Sequence, residues 1–506
     1  MNKGYGIFAG IAAFLIILLA PIDPSVLPEA AKITAAITGL MVIFWITQPI
    51  PIEATSLIPL VAFPLAGVLS PAAAAAPYAD KVIFLFLGGF MIAMSMQRWG
   101  LHKRIALKII NLTGTSPARL ILGFMIATAF LSMWMSNTAT AMMMIPIAIA
   151  IIATVLPTKN YKEMDGSQKA FAGCLVLGIA YAAGVGGIAT LIGTPANGIL
   201  VAQLAKIFPA APPIDFFTWL EFGVPFVALM IPIMWLWLTK IAYRKMPKVL
   251  ENTKDALQKE IESLGPMSRG EKNTLFVFVL VALCWIFRAS KDLGAFTIPG
   301  LDVIFPGIDD STIAIFGAIL LFLLPISWKN KEFTMNWHWG VRIPWGILLL
   351  FGGGMSLSAA FKASGLSQAI AEYFGILHAV PLVILVLILA IVVMILTEFT
   401  SNTAVANIMI PVMAGISVFA LEVNPLLLMM TVAVASSLAF MLPVATPPNA
   451  IAYGTEYVEM KDMVTAGWFL NLIGIFLFTF FLFTIVMAAF GMSPGLPDWA
   501  FSIVQT

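Results

Sequence analysis

Ser136-Asn137-Thr138 lies in the middle of an apolar stretch at 118–156, and Ser401-Asn402-Thr403 in the middle of another at 379–421. Each stretch is longer than one bilayer-crossing helix needs. Irregular backbone at membrane depth is tolerated only where protein buries it or a wet cavity borders it, so these polar tripeptides require a reason. Ser and Asn are good helix N-caps, and each tripeptide reads as a tip that opens a second helical arm. That arm turns its positive dipole end to the tip, which suits an anion, while the last carbonyls of the first arm suit a hard cation. Ser132 lies one turn before Ser136, and Thr397 one turn before Ser401, so each tip gains another hydroxyl on the same face. Hydroxyls, an Asn oxygen and free carbonyls make an oxygen cage of the kind Na+ binds. Gly193-Thr194-Pro195 and Ala445-Thr446-Pro447 break two further apolar stretches, 168–207 and 425–459. A proline there removes a donor and is expected to free a carbonyl one turn earlier.

A single such tip could be helix-helix glue or a kink. The motifs, however, come in pairs. From 136 to 401 the offset is 265, and Met144-Ile145-Pro146 returns as Met409-Ile410-Pro411 at the same offset. Gly88-Gly89 returns as Gly353-Gly354, Gly100-Leu101 as Gly365-Leu366, and Ser132 maps onto Thr397. Gly193-Thr194-Pro195-Ala196-Asn197 is echoed by Ala445-Thr446-Pro447-Pro448-Asn449 at offset 252, and the difference falls in the polar loop near Leu156–Gln168. Several blocks at one constant offset indicate a duplicated unit.

The elements that position these motifs are membrane-sized. Of 506 residues, 61% are hydrophobic and only 10% charged, too few polar residues to cover a soluble protein of this length. Candidate spans are 5–21, 31–49, 54–70, 82–99, 168–207, 217–243, 273–290, 311–328, 343–362, 425–459 and 464–491. The stretches 118–156 and 379–421 are each either two crossing helices or one re-entrant hairpin, alternatives that charge does not separate because both return to the side of entry, and the hairpin is the reading adopted. The fold class is thus an all-α polytopic membrane protein of about eleven transmembrane helices plus two hairpins. No small-x-small cleavage site follows the first apolar stretch, so it reads as a retained span. With the N-terminus cytoplasmic, 21 of the 27 basic residues fall inside, which favours that orientation and an extracytoplasmic C-terminus. The reading divides the chain into an N-terminal span (1–30), repeat 1 (31–243), a charged cytoplasmic connector (244–272) with amphipathic helix, repeat 2 (273–491) and an extracytoplasmic tail (492–506). Five spans per repeat is an odd number, so the two repeats insert with opposite topology, the architecture of secondary transporters.

No Lys or Arg lies within the motif blocks, so a bound anion would be neutralised by helix ends and captured cations, which links the two binding events. Glu398 is an intramembrane carboxylate, either functional or a structural partner of nearby donors. Glu53, in Pro49-Ile50-Pro51-Ile52-Glu53, reads as structural. Cys174 and Cys284 lie in apolar runs and read as core residues; His102, His338 and His378 share no metal-ligand spacing and none stands mid-span beside a serine, which argues against an intramembrane hydrolase. A net charge of +2 implies no nucleic-acid partner. An ion channel would need a continuous polar path, whereas two tips from opposite sides look like an occluded site.

The proline-rich 49–53 segment, the paired Ser-Asn-Thr tips, Ile192-Gly193-Thr194-Pro195 and Ala445-Thr446-Pro447-Pro448-Asn449 together resemble the divalent anion:Na+ symporter family, over nearly the whole chain. That family includes bacterial sodium/dicarboxylate symporters and human sodium-coupled citrate, dicarboxylate and sulfate carriers. The resemblance implies a homodimer in the plasma membrane that works as an elevator, a transport domain sliding against a scaffold domain. It implies one Na+ site at Ser132, Ser136, Asn137 and Gly193 and a second at Thr397, Thr400, Ser401, Asn402 and Ala445. It implies that substrate carboxylates are held by Asn137, Thr138, Thr194, Asn402, Thr403 and Pro447. Na+-coupled uptake of C4-dicarboxylates is the activity expected. The family also includes sodium-independent exchangers and carriers of sulfate and tricarboxylates.

Overall fold

The computed structural model describes residues 3–158, 160–250, 252–292 and 297–503. Lys159, counted above among the inside cations, lies outside them. Among the described residues nine helices are long and apolar enough to cross a membrane, and five shorter apolar helices accompany them. Two small antiparallel ribbons interrupt the all-α expectation, Lys291–Asp292 with Thr297–Ile298 and Pro325–Ser327 with Glu332–Phe333. The first lies between helices Arg269–Ile286 and Leu301–Ile304, the second between Asp310–Leu323 and Trp337–Gly340.

The expected span at 54–70 is not one helix. Ile52–Thr55 ends at Ser56, and a second helix runs Ile58–Leu65. Pro59 has no N–H to offer Thr55, so the helix stops and restarts there. Each Ser-Asn-Thr stretch folds as two helical arms about a turn, termed here hairpin 1 (Pro117–Ser132 and Asn137–Val155) and hairpin 2 (Leu382–Phe399 and Asn402–Phe419). Broken helix 1 comprises Gly166–Gly186 and Pro195–Ile207; broken helix 2 comprises Pro425–Ala435 and Pro447–Tyr453. These occupy the centre. Every residue from Phe171 to Gly186 is buried, as is every residue from Pro425 to Ala435. Their near-absence of polar faces follows, since a helix surrounded by protein is apolar all round.

The glycine pairs recognised in the sequence turn out to be corners and contacts. Gly100 (φ 72°) and Gly365 (φ 75°) hold the left-handed conformation that ends one helix, and Leu101–Thr113 and Leu366–Glu372 start at the next residue. A side chain on Gly88 would strike the backbone of Ala314, and one on Gly353 the backbone of Ser56, so each permits close helix packing. Glu53 lies against Gly346, consistent with a structural role.

The charged connector contains the helix Thr253–Ser263. It docks on Leu101–Thr113 through Lys103–Glu260 (2.9 Å) and Arg104–Glu271 (2.6 Å), and Arg104 also donates to the carbonyls of Leu264 and Gly265. At another helix-end cluster, Arg288 pairs with Asp215 (2.7 Å) and Asp310 (2.8 Å), and Asp310 accepts from the Phe216 N–H. This joins helices Phe216–Trp237, Arg269–Ile286 and Asp310–Leu323. Asp215 caps the first of these, and Thr218 hydrogen bonds together with Arg288 hold its carboxyl below the usual range against the opposing effect of burial.

Candidate functional site

At hairpin 1 the chain turns through Met133–Ser136, and Ser136 caps the second arm by accepting from the Ala139 N–H (3.3 Å). Ser132, the last residue of the first arm, is fully buried. Its Oγ is 2.7 Å from Asn137 Oδ1 and 2.7 Å from the carbonyl of Ala183 in broken helix 1. A hydroxyl has one proton. It can serve one of those acceptors, leaving the other oxygen pair in contact without hydrogen. The Asn137 oxygen faces acceptors only; turned over, its NH2 would lie 3.1 Å from Ala183 O, 2.7 Å from Ser132 Oγ and 3.2 Å from Gly193 O. With the NH2 turned inward it donates to these three oxygens; with Oδ1 inward, four oxygens surround one space. A small hard cation fits that donor set.

The break itself is folded to reach the tip. Gly187 and Gly193 lie so close that a side chain on Gly187 would meet Asn137 Oδ1 and the Gly193 carbonyl. The Thr190 hydroxyl donates to the Met133 carbonyl in the tip, and Asn197 Nδ2 donates to the carbonyls of Gly187 (3.1 Å) and Thr190 (2.8 Å).

The second half repeats this construction. The Thr397 hydroxyl contacts Asn402 Oδ1 and is 2.9 Å from the Ser436 carbonyl in break 2. Again one proton faces two acceptors. Asn449 Nδ2 donates to the carbonyls of Ala439 and Leu442 (both 3.1 Å), each 252 residues beyond the corresponding partner of Asn197. The sequence echo at Asn197 and Asn449 marked these residues; their role as staples across the breaks was not assigned.

One tie differs. Where repeat 1 uses Thr190 to hold its tip, repeat 2 uses Glu398. That carboxylate is fully buried and accepts from the N–H groups of Phe440 (2.9 Å), Met441 (3.0 Å) and Leu442 (3.0 Å) and from Asn471 Nδ2 (2.7 Å). Four donors on two oxygens make Glu398 a structural partner of the break-2 main chain and Asn471. The expectation for the prolines is corrected. Pro195 and Pro447 are the first residues of their helices, where the missing N–H is not needed, so they start the second segment and free no helical carbonyl.

The other expected residues are distributed as follows. Ser401 occupies the N-cap position of the second arm of hairpin 2 without a side-chain cap bond. The Thr400 hydroxyl turns back to the Leu396 carbonyl (2.9 Å), and Ala445 N–H bonds to Leu442. Thr138 and Thr403 are half-buried at the second positions of their helices. Thr194 is buried at the N-cap of Pro195–Ile207 with no cap bond, whereas Thr446 caps Asn449 (3.3 Å). Pro447 is exposed. The two halves are interleaved: the second arm of hairpin 1 packs on Pro447–Tyr453, and that of hairpin 2 on Pro195–Ile207. The breaks also approach, since the ring of Tyr181 contacts Phe440 at 5.1 Å between centroids.

A cavity of about 420 Å³ borders broken helix 1, lined by Lys81, Leu191, Asp215, Arg288, Asp309 and Asp310 among others. Its carboxylates outnumber its cations, a poor setting for a dianion.

Residues 2–490 match the family model for the sodium:sulfate symporter transmembrane region. The chain is 41% identical over 505 residues to the sodium-dependent dicarboxylate transporter SdcS of Staphylococcus saprophyticus, covering 98% of this chain and 95% of that one. It is 40% identical over 495 residues to SdcS of Staphylococcus aureus strain MRSA252, covering 97% and 93%. In fold it is similar to the Neisseria gonorrhoeae antimetabolite efflux pump MtrF (TM-score 0.57, 12% identity, 88% of this chain and 87% of that). It is also similar to the Alcanivorax borkumensis YdaH transporter (TM-score 0.55, 14% identity, 85% and 89%). Paired tips and breaks, a matching family model over nearly the full length and relatives at about two-fifths identity place this chain in the sodium:sulfate symporter family.

Proposed function

We propose that this chain is a secondary active transporter that couples Na+ to the uptake of C4-dicarboxylates such as succinate, malate and fumarate. The carrying observation is the crowding of oxygens at both tips: the Ser132 hydroxyl lies between the Asn137 amide and the Ala183 carbonyl, and the Thr397 hydroxyl between the Asn402 amide and the Ser436 carbonyl. Such oxygen clusters take cations. The two SdcS relatives are named as sodium-dependent dicarboxylate transporters, which supports both cargo classes.

In this reading Ser132, Ser136, Asn137 and Gly193 hold one Na+, and Thr397, Thr400, Ser401, Asn402 and Ala445 hold another. Asn137 and Asn402 turn their amide N–H groups to the substrate carboxylates, joined by Thr138, Thr403, Thr194 and Pro447. The N-termini of the second arms add positive potential. With no Lys or Arg in the motifs, two bound Na+ ions balance the dianion. Repeats 31–243 and 273–491 insert in opposite senses, with the hairpins and broken helices moving as an elevator in a homodimer of the bacterial plasma membrane. The N-terminus is cytoplasmic and the C-terminus extracytoplasmic. Sulfate, named in the family description, is the second reading, because it is also a dianion and needs the same cations.

Uptake of labelled succinate into proteoliposomes tests this, with Na+ or choline outside. Uptake only with Na+ is expected. Uptake only into vesicles preloaded with dicarboxylate would make the protein an exchanger, and passive anion current would make it a channel.

A further inference from the structure

Hairpin 1 contains more unused oxygen than its tip accounts for. Thr128 and Thr140 are fully buried, and among the described residues they are the two sealed threonines whose hydroxyls have no hydrogen-bond partner. That is unusual in this molecule. Other buried helical threonines find partners: Thr34, Thr239, Thr431 and Thr479 donate to the carbonyl four residues back at 2.7–2.9 Å, and Thr274 and Thr397 bond to side chains. Thr128 and Thr140 make no such bond, so the carbonyls of Phe124 and Ser136 keep a lone pair free.

The two residues stand at similar distances along the chain from the tip. The contact between Ser132 Oγ and Asn137 Oδ1 (2.7 Å) fixes the register of the arms at the tip. Thr128 lies four residues before Ser132 and Thr140 three after Asn137, so both stand one helical turn behind the tip on the faces that carry those residues. The second half lacks this feature. At offset 265 the positions are Val393 and Val405, also buried. Valine has the shape of threonine without its oxygen, so the duplicated unit kept the packing at both positions and differs only in the two hydroxyls.

We infer that Thr128 and Thr140 form a further cation-binding position in hairpin 1, one turn behind the tip, that hairpin 2 does not have. The hydroxyls supply lone pairs and the freed main-chain carbonyls of the arms add to them. Neutral oxygens alone select a weakly demanding monovalent cation such as Na+, since no carboxylate is present to repay the dehydration of a divalent one. The two halves of the molecule would then carry unequal numbers of ions. This inference rests on the proposed Na+ coupling.

The test compares the full-length parent with the double variant Thr128→Val, Thr140→Val in proteoliposomes, measuring labelled Na+ and labelled succinate influx together. The expected result is uptake that still depends on Na+, with one Na+ fewer moved per succinate and a shallower Na+ activation curve. A ratio identical to the parent's would overturn the inference and leave a water between the two hydroxyls. A parent that moves no Na+ with succinate would overturn the coupling itself, and this inference with it. Should the valine pair stop uptake, Thr128→Ser, Thr140→Ser decides. Serine keeps the oxygens and loses the methyl groups, so the parental ratio in that variant supports the position, and an equal loss of uptake overturns it.

Discussion

A hydroxyl lying between an Asn amide and a main-chain carbonyl is the smallest unit of the proposed site, and the predictions at residue scale start from those amides. Asn137→Ala and Asn402→Ala each remove a shared oxygen together with the N–H groups assigned to substrate. Both are expected to abolish Na+-dependent succinate uptake while size-exclusion profile and melting temperature stay near the parent's. Near-normal uptake by either variant would take that residue out of the site. Glu398 makes the opposite prediction. Its carboxylate accepts from four donors, so Glu398→Gln turns an NH2 toward N–H groups that need an acceptor. Each buried donor left unpaired costs roughly 1–3 kcal/mol, so the variant should unfold at a clearly lower temperature in detergent. The folded fraction should bind succinate with nearly the parental Kd; an unchanged melting temperature with lost binding would instead make Glu398 part of the site. The sequence leaves this residue undecided because its partners Phe440 to Leu442 lie in a loop more than forty residues away, and only folding brings them together.

Elements carry these residues to each other, and here the sequence is readable where polarity contradicts its surroundings. The tips and breaks stand out because hydroxyl, amide and glycine interrupt apolar runs, and duplication separates them from ordinary kinks. What stays hidden has no such contrast. The amphipathic helix Leu101–Thr113, the two ribbons and the split at Ser56 lie in segments that are merely less apolar. Thr128 and Thr140 look like any helical threonine until their missing back-bonds are seen. The carbonyls of Ala183 and Ser436 cannot be marked by residue type at all, since main-chain oxygens are common to every residue. The placement of the Ala183 carbonyl depends on how closely broken helix 1 lies on hairpin 1. A side chain at Gly186 would meet the backbone of Ala129, whereas at Gly184 the nearest atoms are 3.8 Å away. Gly186→Ala should therefore push the break off the hairpin, at about 1–3 kcal/mol of overpacking, and raise the Na+ concentration needed for half-maximal uptake. Gly184→Ala should leave that concentration close to the parent's. Equal effects of the two would remove this contact as the cause.

At the scale of the whole molecule the two halves are interleaved, each hairpin's second arm lying on the broken helix of the other half. A cation captured at one tip therefore stiffens an arm that packs against the half holding the other tip. Since no basic side chain is present in the motifs, a dianion entering without cations would meet converging oxygens and be repelled. Na+ and succinate should thus favour each other, and linkage makes that preference reciprocal: whatever factor Na+ gives to succinate affinity, succinate gives to Na+ affinity. A tenfold factor corresponds to about 1.4 kcal/mol of coupling, well within the typical range for interacting sites. Titrating purified protein with succinate at several Na+ concentrations, and with Na+ at several succinate concentrations, measures both sides of the cycle. The succinate Kd should fall as Na+ rises, and the two coupling factors should agree. A succinate Kd independent of Na+ would mean that the oxygen clusters do not neutralise the anion. The charge balance would then have to come from residues outside both tips, such as Lys81 or Arg288 beside the cavity that borders broken helix 1, and the central site would lose its physical basis.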